Sequence, residues 1–215
     1  MATDATRTRL LDAAERLFLE HGYERVSARA VNAAAGMNPA AVHYHFGSKE
    51  GLVVALLQSR LGPLWADRLA GLTRRRHTGW TPGVAEIVDV VVRPLDELAA
   101  GPGGRMLLHL LARVVFRNRD LRWDEPWFRH DPWCELLAAA RPDLSAQEVQ
   151  DRWCLAFDLL LQLYGEPSAA AGRLGAIPVP SSATVIAFVT AGLNAPATQD
   201  APSAPDAPST QAYEG

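Results

Sequence analysis

Residues 27–50 read SARAVNAAAGMNPAAVHYHFGSKE, and this stretch decides the fold. Ser27 is placed to cap a short helix, because its hydroxyl can accept one of the orphan N–H groups of the opening turn. Gly36 stands where that helix must stop, since only a residue tolerant of positive φ turns the chain there at low cost. Asn38 caps the next helix, and Pro39 takes its first position, where a missing N–H removes no bond. Ser48 opens a third helix. Two short helices, over about 28–35 and 39–45, joined by a tight turn, have the layout of a helix-turn-helix that reads DNA.

Outward from this core the pattern stays helical. A first helix spans about residues 5–21, with Leu10, Ala14, Leu17 and His21 on one face and Leu11 and Phe18 beside them. Gly22 ends it, and Tyr23 and Val26 supply apolar contacts for the connection. A fourth helix is predicted over 49–62, where Pro63 should end or kink it. Further helices are predicted over 63–76, 82–99, 103–117, 131–140, 146–165 and 181–194, with a capping box from Ser145 to Glu148. No alternating strand pattern of useful length interrupts them, so the fold class is all-α. The Ala-, Pro- and Ser-rich residues 195–215 carry too few large apolar groups to order themselves.

The 215 residues include 48% hydrophobic ones, enough to bury a core. No apolar run of about 18 residues is present, so no membrane partner is expected, and the N-terminus lacks the apolar segment of a secretory signal. The expected compartment is the cytoplasm. Cys134 and Cys154 form no paired motif, so neither a metal site nor a cofactor is expected. The net charge is −3, and residues 1–50 carry six basic and six acidic side chains. A protein that coats nucleic acid without selectivity is therefore excluded. DNA affinity must come from a few placed cations, among which Lys49 is the single lysine of the chain.

Residues 7–61 resemble the N-terminal domain of the tetracycline-repressor (TetR) family of bacterial regulators. The resemblance is carried by LLDAAERLFLEHGYE at one end and YHFGSKEGL at the other, at matching spacing. It implies a helix-turn-helix domain over residues 4–62, with the motif itself at 27–46, and a larger helical domain over 63–194 that binds an effector and forms a homodimer. The function implied is that of a ligand-responsive, sequence-specific transcription regulator. It would act as a repressor released from a palindromic double-stranded operator by a small molecule.

The same resemblance implies phosphate contacts from Ser27, Arg29 and Lys49, and from Tyr44 or His45. On the recognition helix Asn38, Pro39, Ala40, Ala41, His43, Tyr44 and His45 form the expected exposed set. Ala40 and Ala41 permit close approach to thymine methyls, while Asn38 and His43 can hydrogen-bond to bases or phosphates. Two departures stand out. His43 replaces a tyrosine frequent in the family, which moves the expected anchor to Tyr44. Asn32 replaces a small alanine, which makes the crossing of the second and third helices looser or hydrogen-bonded.

Candidate effector-lining residues are Trp80, Met106, His109, Arg113, Phe116, Trp123, Trp127 and Trp133. The last two helices would pair across the dimer, using Trp153, Phe157, Leu160, Leu161 and Tyr164 on one and Val185, Phe188, Val189 and Leu193 on the other. Two other readings compete: a helical protein-interaction adaptor and a small helical enzyme. The adaptor has no need of the capped 27–49 unit. The enzyme lacks any recognisable nucleophile elbow, HExxH or phosphate loop.

Overall fold

The computed structural model describes residues 2–118, 123–165 and 180–198. Helix α1 (Ala2–His21) leads through a single 3-10 turn (Tyr23–Arg25) into α2 (Ala28–Ala34) and α3 (Ala41–Phe46). There follow α4 (Lys49–His77), α5 (Val84–Ala99), α6 (Pro102–Arg117), α7 (Asp131–Ala140), α8 (Ala146–Gly165) and α9 (Ser182–Leu193). No strand occurs among the described residues.

The caps form as the side chains dictate. Ser27 accepts from the N–H of Ala30 at 3.1 Å and Ser48 from that of Gly51 at 3.0 Å. Gly36 turns the chain at φ +65°, and Gly47 ends α3 at φ +74°. Leu10, Ala14 and Phe18 of α1, Val31 of α2, Val42 of α3 and Leu52 and Leu56 of α4 close one core under the head. His21 does not join it; it lies exposed at the end of α1.

Pro63 neither ends nor visibly interrupts α4, which runs unbroken from Lys49 to His77. The expected separate helix over 63–76 is its second half. The missing proline N–H deletes one ladder bond, but both halves are pinned. Leu57 and Leu61 are buried before it, and Trp65, Leu69 and Leu72 after it. Trp65 stacks on Trp127 at 4.9 Å and donates to the carbonyl of Val91 at 3.4 Å. At about 1.5 Å per residue, α4 is a rod of about 43 Å running from the head into the larger helical body.

The body places α5, α6, α7 and α8 around the continuation of the core under the head, which includes Ile87, Val92, Leu108, Leu111, Leu136 and Leu137. Only half of the expected capping box forms. Ser145 accepts from the N–H of Glu148 at 3.2 Å, but the Glu148 carboxylate turns to Arg152 at 2.6 Å and to the N–H and hydroxyl of Thr198. Arg141 and Arg152 both bind the carbonyls of Leu193 and Ala195. The segment just past α9, expected to belong to a structureless tail, is thus tied down as far as Thr198. Residues 199–215 lie outside the described residues, as do 166–179.

Candidate nucleic-acid interface

The helix-turn-helix is held from both sides. Asn32 is the buried polar residue of α2. Its side-chain oxygen accepts from the N–H of Val42 at 2.9 Å, and its amide donates to the carbonyl of Pro39. The crossing of α2 and α3 is therefore hydrogen-bonded, not loose. From the other side come two arginines of α1. Arg9 donates to the carbonyl of Ala35 at 2.9 Å, and Arg7 to that of His45 at 2.8 Å while lying over the Phe46 ring at 4.5 Å. Each cation meets the C-terminal, partially negative end of a short helix. Sequence reasoning missed both, because the contacts span 26 and 38 residues.

Held in this way, α3 turns His43 and Tyr44 to solvent, and the turn before it exposes Asn38, Pro39 and Ala40. The expected cap shifts: α3 begins at Ala41 with Ala40 as its N-cap, so Asn38 and Pro39 lie in the preceding turn, where the Asn38 side chain accepts from the N–H of Ala40 at 2.9 Å. The side chain of Tyr44 stands out at 82% exposure, touched edge-on by His45. Ala41 and His45 are half-buried. Ser27 and Arg29 are exposed at the start of α2, and Arg29 has no polar partner among the described residues.

Lys49 is engaged within the chain. Its ammonium donates to the carbonyl of Tyr23 at 2.6 Å and sits 3.7 Å from the centre of that ring. Burial holds its pKa below the ordinary lysine value. The Tyr23 hydroxyl donates to Glu50 at 2.9 Å. Burial first, then that carboxylate, pushes the phenol up. The Glu50 carboxyl is held low by its own backbone N–H and by Tyr23. Arg113 of α6 reaches the same tyrosine, lying 4.4 Å from the ring centre, and pairs with Glu24 at 2.6 Å. One 3-10 turn thus receives cations from the head and from the body.

The eight expected effector-lining residues do not converge. Trp127 borders a groove of about 550 Å³ between α4 and α7, with Leu69, Leu136, Arg74, Arg76 and Glu135. His109, Arg113 and Phe116 border a separate cavity between α6 and α8. Trp80 lies under the Arg75 guanidinium, Trp123 stacks on Phe128, and Met106 packs against the core. Trp133 is core, stacked on Trp153 and donating to the carbonyl of Trp127 at 2.9 Å.

The expected dimer set needs a similar correction. Trp153, Leu160, Leu161, Tyr164, Val185, Val189 and Leu193 are buried within the chain's own core, and Phe157 is half-buried. Of the nine, Phe188 is exposed, at 70%. Leu155 joins it at 71%, and both border a shallow apolar depression with Ala156 and Leu159.

Residues 10–56 match the family described as bacterial regulatory proteins, tetR family. The chain carries a tetR-family regulatory domain. Its curated relatives include the transcriptional regulator BetI of Rhizobium meliloti, 39% identical over 66 residues, which are 31% of this chain and 32% of that protein. The transcriptional repressor AcnR of Corynebacterium glutamicum is 43% identical over 51 residues, 24% of this chain and 27% of that protein. The match thus spans about a third of each relative's length or less. The fold likeness extends further. SmeT of Stenotrophomonas maltophilia, described as the repressor of a multidrug efflux pump, superposes with a TM-score of 0.55 at 17% identity, over 90% of both chains. Its triclosan complex reaches 0.60 at 19% identity, over 89% of this chain and 95% of that one. The body of this chain therefore shares the fold of such proteins.

Proposed function

We propose that this protein is a sequence-specific DNA-binding transcription regulator, a repressor released from its operator by a small-molecule effector. The observation that carries the reading is the solvent-facing edge of α3 and the turn leading into it. Asn38 and Ala40 of the turn and His43 and Tyr44 of the helix are exposed, and their aim is set by Asn32, Arg7 and Arg9. Rigid presentation of short and hydrogen-bonding side chains is what major-groove readout requires. No arginine or glutamine lies on α3, so apolar contact and duplex shape carry much of the selectivity. Ser27 and Arg29 flank the groove as phosphate contacts. Lys49 acts there too, with its charge presented from the Tyr23 platform. Relatives of the head are named as transcription regulators, which favours this reading over an enzyme or an adaptor.

Two copies paired through the Leu155–Phe188 face of α8 and α9 would present two recognition helices to a palindrome, with half-sites about 34–36 Å apart. No described helix is long and apolar enough to cross a membrane. The test is fluorescence anisotropy with the DNA upstream of the gene. Tyr44→Ala should weaken binding by at least about tenfold, with no change in melting temperature. Arg29→Ala should lower the slope of affinity against salt by about 1. Binding that survives both changes at full strength would rule out this docking.

A further inference from the structure

The cavity between α6 and α8 has a volume of about 260 Å³ and is bordered by His109, Arg113, Phe116, Arg117, Leu161 and Gln162. Three of these side chains carry or can acquire positive charge, and among the described residues no carboxylate borders it. His109 presents Nδ1 to the carbonyl of Gly165 at 3.0 Å. A carbonyl only accepts, so Nδ1 holds the proton, and Nε2 is left uncommitted among the described residues. Phe116 and Leu161 add apolar surface. Arg113 is the hinge of the arrangement. Its side chain is 17% exposed, and its guanidinium leaves the cavity wall to meet Glu24 and the Tyr23 ring of the head.

We propose that this cavity binds a small organic anion, a carboxylate on a compact apolar or aromatic body, which contends with Glu24 for Arg113. Glu24 is 71% exposed and engages the guanidinium through Nη2 at 2.6 Å. A ligand carboxylate can use two parallel N–H groups of the planar fork, a stronger arrangement. Taking Arg113 away loosens the turn at Tyr23 and Glu24, the same turn whose Tyr23 carbonyl and ring seat Lys49. The ligand then favours conformers in which the head is released from α6, and by linkage DNA disfavours the ligand. This coupling rests on the DNA-binding reading above; the anion site itself does not. The charge of the lining sets it apart from the larger groove along α4, where Glu125 and Glu135 stand among the arginines.

Isothermal titration of the full chain with benzoate, and with benzamide as its neutral counterpart, tests the site without DNA. Benzoate should bind about tenfold more tightly than benzamide. Glu24→Gln, which removes the competing carboxylate, should tighten benzoate about threefold. Arg113→Gln should abolish the preference for benzoate. The assignment is overturned if the two probes bind alike, or if benzoate affinity is the same in the wild type and Glu24→Gln. In the anisotropy assay, saturating benzoate should weaken DNA binding by the wild type and leave Glu24→Gln unmoved. Benzoate that binds as described without moving DNA affinity refutes the coupling. A chain that never binds DNA defeats the regulator reading, and calorimetry then decides the site alone.

Discussion

The side-chain oxygen of Asn32 accepts from the backbone N–H of Val42 at 2.9 Å, joining the two helices of the helix-turn-helix through one buried amide. The same amide donates to Pro39. Asn32→Ala leaves a buried donor and acceptor unpaired and should cost about 1–3 kcal/mol. Urea unfolding should show a lower midpoint at unchanged slope. An unchanged midpoint would mean that water replaces the amide freely.

Gly165 ends α8 against α6. A Cβ there would lie 2.3 Å from the Cβ of Ala112 and 3.1 Å from the carbonyl of Leu108. Gly165→Ala should destabilise the chain by about 1–3 kcal/mol through overpacking. The double change with Ala112→Gly should recover part of that loss. A double mutant no more stable than Gly165→Ala would place the strain elsewhere.

His130 precedes α7 with its ring edge-on to Phe157 at 5.8 Å. Burial holds its imidazole below the ordinary 6.5. The unfolded chain therefore takes up this proton first as pH falls. The residue's contribution is fully present above pH 6.5 and is lost as pH drops from there to the lower folded value. Thermal melts between about pH 7 and 5.5 should fall more steeply for the wild type than for His130→Asn. Parallel curves would show that the ring titrates as it does in the unfolded chain.

Phe188 and Leu155 are the exposed apolar pair on α8 and α9. If they seal a two-fold interface, Phe188→Asp should give a monomer by light scattering, with far-UV helicity unchanged. A Phe188→Asp protein that remains dimeric places the interface on another face.

The parts of the fold legible in the residues are those whose causes are local. Ser27 and Ser48 each cap an N–H three positions ahead, and Gly36 adopts the left-handed turn its position demands, whereas Asn38 braces the turn and leaves the cap of α3 to Ala40. What escaped was decided at a distance. Pro63 reads as a stop, yet packing of Leu61 and Trp65 on both sides outweighs one lost bond. Apolar periodicity marked α8 as a broad hydrophobic helix, but a helix apolar on two sides does not say which side meets its own chain. Trp153, Leu160 and Leu161 went inward, and Leu155 was left outside. Arg113 was singled out as a cavity residue, but its partner Glu24 lies in the other part of the molecule, and no local pattern announces that pairing.

Arg9→Ala and Arg7→Ala should leave the helical content intact and speed amide exchange at the ends of α2 and α3, each costing about 0.5–1.5 kcal/mol. Unaltered exchange around Gly36 and Gly47 would rule out the arginine clamps.

Those clamps have an evolutionary corollary. If α3 docks on a duplex as proposed, the angle at which it does so is inherited from Asn32 and the first helix. Ala40 and His43 are exposed and lend no side chain to those tethers, so under that docking the letters recognised could change while the grip on the double helix kept the same pose.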